Sequence, residues 1–483
     1  MTTNHSADQA GSQDEIVSPD GSSSEVMYKV YKRRFWGLGQ LVLLNIIVSW
    51  DWLTFSSIST TASQHFGVSE SAINWMSTGY LFAFCVASPV VILTLNKGGP
   101  KPAIIITSSL LLAGNWIRYA GTRARGGIFG LAMFGQILMG LAQPFCLSAP
   151  TRYSDLWFSD RGRISATAMG TLANPLGAAL GQFINSFWAT TPDEVPNMVL
   201  YISIMATIAS IPSFFIPGAP PTPPSPSSAS LKTPLRPGLT QLLQTLEFWL
   251  ILIPFSIYVG FFNSISSLLN QILEPYGFSE TDAGIAGGIL IVVGLVSSAI
   301  ISPITDRFKH YLATIRILVA IVAAAYIGLI FAPASPAGIA PAYVVCALLG
   351  AASFGLLPIV LEYLVEITYP FSPEIGSTIC WTGGQLLGAV FILIQDALKA
   401  SAAASPPLNM RNALIFAAVV AAVAAPFPIC IGLFGRDVRR RRLEVDRGVA
   451  LEDAMVAGRA AGDPELGPTS KEIGKVSPPA EAS

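Results

Sequence analysis

Charge is what this chain has least of. Lys, Arg, Asp and Glu make up 12% of its 483 residues, against about 25% in an ordinary soluble domain. A water-soluble fold of this length needs a charged surface that these residues do not supply. The formal net charge of −1 argues against nucleic acid as a partner. Histidine is scarce as well: His5, His65 and His310 show no metal-ligand spacing with one another or with cysteine. The five cysteines, Cys85, Cys146, Cys346, Cys380 and Cys430, lie in or beside apolar runs without a CxxC pair. They read as small buried hydrophobes, not as a disulfide framework. No P-loop, HExxH, nucleophile elbow or Gly-rich dinucleotide loop occurs, because GQLLGA and GGILIVVG fall inside apolar runs where glycine serves packing. An enzyme, an ATP-driven pump and a cofactor are therefore not expected. Residues 1–27 lack the apolar core of a signal peptide and the Arg-rich pattern of a transit peptide, so the first span is expected to serve as its own insertion signal.

What the chain does have is long apolar runs, which make up much of its 52% hydrophobic content. A helix needs about 20 mostly apolar residues to cross about 30 Å of hydrocarbon. Twelve such runs are predicted, at roughly 35–60, 71–95, 102–121, 127–149, 163–188, 197–216, 247–272, 282–303, 311–332, 337–361, 375–398 and 408–434. They are too long and too little alternating for a β-barrel. Pro89, Pro144, Pro175, Pro254 and Pro358 fall within them, which is tolerated where neighbouring helices satisfy the freed backbone groups.

Basic residues mark one side of the membrane. Lys29, Lys32, Arg33 and Arg34 precede the first span, and Lys97 and Lys101 follow the second. Arg152, Arg161 and Arg163 follow the fourth, Lys232 and Arg236 the sixth, Arg307 and Lys309 the eighth, and Arg436 with Arg439 to Arg442 the last. The opposite side offers only Arg118, Arg123, Arg125, Lys399 and Arg411. Both termini are therefore expected in the cytoplasm. The predicted layout is a disordered N-tail (1–34), a six-helix half (35–216), a Pro-rich cytoplasmic linker (217–246) beginning PGAPPTPPSPSS, a second six-helix half (247–434), and a basic-then-polar disordered C-tail (435–483). An all-α membrane protein with this 6+6 outline resembles the major facilitator fold, in which two halves rock about a midplane site. By that analogy the first, fifth, seventh and eleventh spans line the cavity.

Polar groups inside a membrane are expensive, so each needs an explanation. Asp51 lies in the first span between Trp50 and Trp52. A carboxylate beside indole rings suits a cation, each ring adding roughly 0.5–2 kcal/mol. The same carboxylate is alternatively a proton carrier, a vestibule residue, or a cap on a local helix break. Amides mark other spans: Asn174 and Gln182 in the fifth, Asn263, Asn270 and Gln271 in the seventh, Gln385 in the eleventh. They form a substrate site or simply bond neighbouring helices. The candidate site is Asp51, Trp52, Asn174, Asn263, Gln271 and Gln385. The loops after the fourth and tenth spans occupy equivalent places in the two halves; one carries Arg152, Arg161 and Arg163, the other Glu362, Glu366 and Glu374. An inter-half ion pair between Arg152, Arg161 or Arg163 and Glu362 or Glu366 is expected when that side closes. Asp306 and Arg307, after the eighth span, also suit the fold's loop pattern, whereas Asn96 stands where it usually has Asp.

From about residue 50 to 395 the segments SWDWLTFSSIS, INWMSTGY, GNWIRYAG, MFGQILMGLAQPF, TRYSDLWF, NPLGAALG, GFFNSISSLLNQIL, EYLVEITYP and GGQLLG resemble the feline leukaemia virus subgroup C receptor family, with its choline- and haem-linked members. EITYP and LLNQ are the more specific of these. The resemblance implies a transporter whose choline site matches here at Trp52 and Gln385. The family's seventh-span Tyr is Asn263 in this chain, its fifth-span Gln is Pro175, and its first-span QW is DW, which introduces Asp51. Substrates that stay open are a cationic amine such as choline or ethanolamine, haem or porphyrin, and a pyridoxine-type solute, with the proton as an alternative partner. The spans hold no His or Cys pair to ligate haem. A non-transporting receptor or sensor is the reading from another class, and a monomer is the default for the fold. Charge reversal at Glu366 is expected to impair transport, and reversal at its true partner to restore it; uptake by double mutants with Arg152, Arg161 and Arg163 identifies that partner.

Overall fold

The computed structural model describes residues 29–224, 235–308, 310–368 and 373–431. Most of the expected N-tail, residues 225–234 of the linker and the whole 435–483 tail with its arginine run lie outside these residues. Among the described residues the long elements are all α-helices. In hydrocarbon no water satisfies backbone groups, so an apolar run must bond to itself as a helix. Eleven helices among the described residues are long and apolar enough to cross a bilayer. The expected fifth span is a further helix, Asp160–Trp188, of 29 residues. Its Gly, Ala, Asn and Gln residues, in GTLANPLGAALGQF, make it less apolar than the rest. Each of the twelve expected spans thus falls on a helix. Val86 is 73% and Phe215 78% exposed, positions that face lipid in a membrane and would be anomalous in water.

Local chemistry sets the ends. Ser69 caps the second span, Glu70–Gly98, by accepting from the Ala72 amide. Gly99, at φ +71°, makes the reversal into the third, Pro100–Arg123, which starts on a proline. The first span is interrupted. Its main helix, Arg34–Trp52, stops at Trp52, and a short 3₁₀ turn, Ser56–Ile58, leads into Ser59–Phe66.

The first span packs on the fifth and the seventh on the eleventh. Across the halves, the second meets the eleventh and the fifth meets the eighth. Small residues allow these approaches. A Cβ on Gly177 would collide with the backbone of Ile46, and one on Gly350 with that of Leu290. Cys146, Cys346 and Cys380 are buried and all five cysteines are free, as expected of small hydrophobes.

One basic residue is more deeply placed than its neighbours. Arg118, counted with the few basic residues of the opposite side, lies inside the third-span helix, within the predicted run 102–121, and is fully buried. An intramembrane guanidinium needs a counter-charge, and it has one (below).

Gly177→Ala is expected to destabilise the purified protein by about 1–3 kcal/mol through overpacking. Gly39→Ala, where an added Cβ meets nothing within 4 Å, is expected to be neutral or slightly stabilising, and thermal melts in detergent compare the two.

Candidate functional site: an aromatic and amide cavity between the halves

A cavity of about 970 Å³, its solvent-open part included, lies between the halves. Four of the six candidate residues come together on its wall: Trp52, Asn174, Asn263 and Gln385. Trp52 is the first-span contribution. Its ring lies 6.5 Å from that of Phe262 on the seventh span, so an aromatic pair bridges the two halves. Phe255 meets Trp381 edge-on at 5.5 Å, and both line the cavity.

Amides supply the polar part. Asn263 Nδ2 donates to Gln385 Oε1 at 2.9 Å, which links the seventh and eleventh spans. Asn174 joins from the fifth span and Gln143 from the fourth. Tyr258 turns its hydroxyl away, donating to the carbonyl of Ala421 at 3.0 Å. Two wall residues keep a buried polar atom without a hydrogen-bond partner among the described residues, Trp52 Nε1 and Gln143 Oε1. The indole nitrogen can only donate and the amide oxygen only accept. The described wall carries no carboxylate, ammonium or guanidinium. Rings and amides there can hold a small solute through quadrupoles and hydrogen bonds, and a cation without a formal counter-charge.

Asp51 and Gln271 lie elsewhere. Asp51 is fully buried behind the cavity wall, paired with Arg118 Nη2 at 2.6 Å. Asn115 Nδ2 donates to its other oxygen at 2.8 Å. A carboxylate engaged on both oxygens within one half is not a wall residue. Trp50 is also occupied, stacked on Trp188 and donating to Asn185 Oδ1 at 2.9 Å. Gln143, Phe255, Phe262 and Trp381 were not among the residues singled out from sequence. An intramembrane amide beside a proline, Gln143–Pro144, was the available signal for one of them.

Gln271 belongs to a polar seam that joins the halves at the end of the bundle opposite the start of the first span. Gln271 Nε2 donates to Asn74 Oδ1 at 2.8 Å, and Asn74 Nδ2 to Asp396 at 3.0 Å. Thr61 Oγ1 donates to Glu280 at 2.7 Å, and Asn270 Nδ2 to Ser59 Oγ at 3.0 Å. Lys399 pairs with Glu70 at 2.8 Å. The cavity lies on the other side of this seam, its wall reaching Ile251, Ile315 and Ile431 near the end at which the first span starts.

Of the expected inter-half ion pairs, Arg152 instead contacts Asp155 of its own helix at 3.3 Å. Arg307 is exposed. Glu362 has an interaction of its own. The side chains of Arg161, Arg163, Asp306, Glu366 and Glu374 lie outside the described residues.

The Lys399–Glu70 pair is partly exposed, at 17% and 23%. Such pairs contribute about 0–1 kcal/mol. Lys399→Ala is therefore expected to change transport rates by no more than about fivefold, measured as initial uptake.

Comparison with known proteins agrees with this geometry. The family model described as Major Facilitator Superfamily matches residues 41–392. Choline/ethanolamine transporter FLVCR1 of Mus musculus is 30% identical over 393 residues, covering 75% of this chain and 69% of that protein. Solute carrier family 49 member A3 of Danio rerio is 29% identical over 450 residues, covering 90% of this chain and 94% of its own. Among solved structures, a bacterial homologue of the human lysosomal transporter Spinster, inward-facing and occupied, superposes with a TM-score of 0.60 at 12% identity, over 83% of this chain and 97% of that one. The outward-facing transporter FucP superposes at 0.59 and 13% identity, over 82% and 99%. The two-half helical bundle, the cavity between its halves and these matches together make the chain a member of the major facilitator superfamily, on its feline leukaemia virus subgroup C receptor branch, and a transmembrane transporter of a small solute.

Proposed function

We propose that the protein is a facilitative carrier of a small organic cation bearing a hydroxyl, of the choline or ethanolamine type. The observation that carries this reading is the wall of the cavity, where aromatic rings at Trp52, Phe255, Phe262 and Trp381 stand among the amides of Gln143, Asn174, Asn263 and Gln385. Ring faces attract an ammonium by roughly 0.5–2 kcal/mol each. A hydroxyl answers the two unpartnered atoms, accepting from Trp52 Nε1 and donating to Gln143 Oε1. The relatives named choline/ethanolamine transporters support the same substrate class. Asn263, where that family has an aromatic ring, exchanges a cation–π contact for an amide that organises Gln385.

Asp51 is the carboxylate that the sequence offers as a proton carrier, and its engagement by Arg118 supports transport without proton coupling. The excess of Lys and Arg before the first span and after the even-numbered ones supports cytoplasmic termini. With that orientation the seam of Glu70, Glu280 and Lys399 closes the outer face, and the cavity serves the inward-facing state. We read the carrier as a monomer.

Uptake of choline, ethanolamine, pyridoxine and a haem analogue into proteoliposomes, with and without a pH gradient, tests the reading. Saturable choline or ethanolamine uptake that is indifferent to the gradient is expected. Trp52→Ala should raise the choline KM by roughly 2–30-fold, and Trp52→Phe, which keeps a ring face and loses only the Nε1 donor, should raise it by a smaller factor. Equal losses in both would mean that the indole packs rather than binds.

A further inference from the structure

We propose that Asp51, Arg118 and Gln136 are positioning residues that set the Trp52 ring in the cavity wall. The geometry begins with the interrupted first span. Because the helix stops at Trp52, the carbonyls of its last turn lose their regular helical donors, and lipid offers no water in exchange. The Asp51 carbonyl accepts from Arg118 Nη1 at 3.1 Å and from Gln136 Nε2 at 2.9 Å. The Trp52 carbonyl accepts from the same Gln136 nitrogen at 3.2 Å. Two side chains from the third and fourth spans thus replace the missing turn.

These groups orient one another in series. Asp51 Oδ1 and Asn115 Oδ1 hold Arg118 Nη2 at 2.6 and 2.8 Å. Arg118 Nη1 then donates to Thr54 Oγ1 at 3.2 Å and to Gln136 Oε1 at 3.0 Å. With its oxygen so engaged, Gln136 presents its nitrogen to the Asp51 and Trp52 carbonyls. The carboxylate holds the guanidinium, the guanidinium turns the amide, and the amide pins the backbone that carries the indole. Asp51, Thr54, Asn115, Arg118 and Gln136 are all fully buried.

The base of this pedestal is rigid. A Cβ on Gly114 would press on Met139 and on the Gly135 carbonyl, and one on Gly135 would press on Arg118, so the third and fourth spans are closely packed at the level of the network. Successive helix residues are turned by about 100°. Asp51 can therefore face the third and fourth spans while Trp52, next to it, faces the cavity. A buried ion pair adds little net stability when its desolvation is counted. Fixing one geometry is the role left for it, as a second layer of contacts that holds a binding side chain in place.

Two variants test this without leaving a lone buried charge. Gln136→Leu keeps the ion pair and cuts its link to the Trp52 carbonyl. Asp51→Asn/Arg118→Gln removes both charges together. The full chain is labelled with 5-fluorotryptophan in nanodiscs, and the Trp52 signal is assigned by its loss in Trp52→Phe. In both variants the ¹⁹F resonance of Trp52 is expected to shift and broaden, while that of Trp249, an exposed ring at the start of the seventh span, stays in place. The choline KM should rise about tenfold with Vmax changed less than about twofold, and neither variant should add to the KM of Trp52→Ala. An unmoved Trp52 resonance in both variants, or KM effects that add to those of Trp52→Ala, would overturn the proposal. The kinetic arm rests on the cation-carrier reading and the spectroscopic arm does not. A wild-type protein that fails to take up choline would defeat that reading, and the resonance would still decide the pedestal.

Discussion

A guanidinium buried in the third span carries the break in the first. Hydrocarbon leaves no alternative partner for an open carbonyl or a lone carboxylate. Arg118 meets both needs at once, giving Nη2 to the Asp51 carboxylate and Nη1 to the Asp51 carbonyl. With those groups satisfied, the first span can stop at Trp52, turn, and resume as Ser59–Phe66 within a single crossing. The interruption places an indole in the wall of the cavity and sends the following hydroxyls, Ser59, Thr60 and Thr61, to the seam between the halves. Site and seam are therefore consecutive stretches of one broken helix.

The two halves are held together unequally. Around the cavity they meet through rings, with Trp52 facing Phe262. At the seam they meet through hydroxyls, amides and one partly exposed ion pair, Lys399–Glu70. Contacts of the second kind are individually weak, about 0–1 kcal/mol for an exposed pair. A seam of many small terms can open without breaking a core. The buried Asp51–Arg118 pair, by contrast, lies wholly within one half.

Much of the architecture was legible in the residues. The apolar runs, the prolines inside them and the basic loops mark the spans, because a bilayer imposes one length and one backbone solution on any segment that crosses it. Trp52, Asn174, Asn263 and Gln385 were recognisable for the same reason, since a polar or amphipathic side chain in a span demands a partner or a cavity. Asp51 shows where such reasoning stops. Its chemistry announces a partner, and several partners satisfy it equally on paper: a cation, a proton, water in a vestibule, or a broken helix. The one it has is 67 positions away, on a span where Arg118 counts among the few basic residues of the opposite side. Gln271 is similar. Its amide belongs to the polar stripe of the seventh span, but its height along the helix puts it at the seam with Asn74 and not at the cavity.

The sequence by itself determined that this chain crosses a membrane many times, in two halves, and that a few polar groups lie inside the spans. Those properties depend on composition and on local periodicity, which each segment expresses alone. Only the tertiary structure decided which polar group lines the cavity and which faces protein. That choice depends on the rotation of each helix about its axis and its height against its neighbours. Both are set by close packing at positions such as Gly177 against Ile46, between residues far apart along the chain.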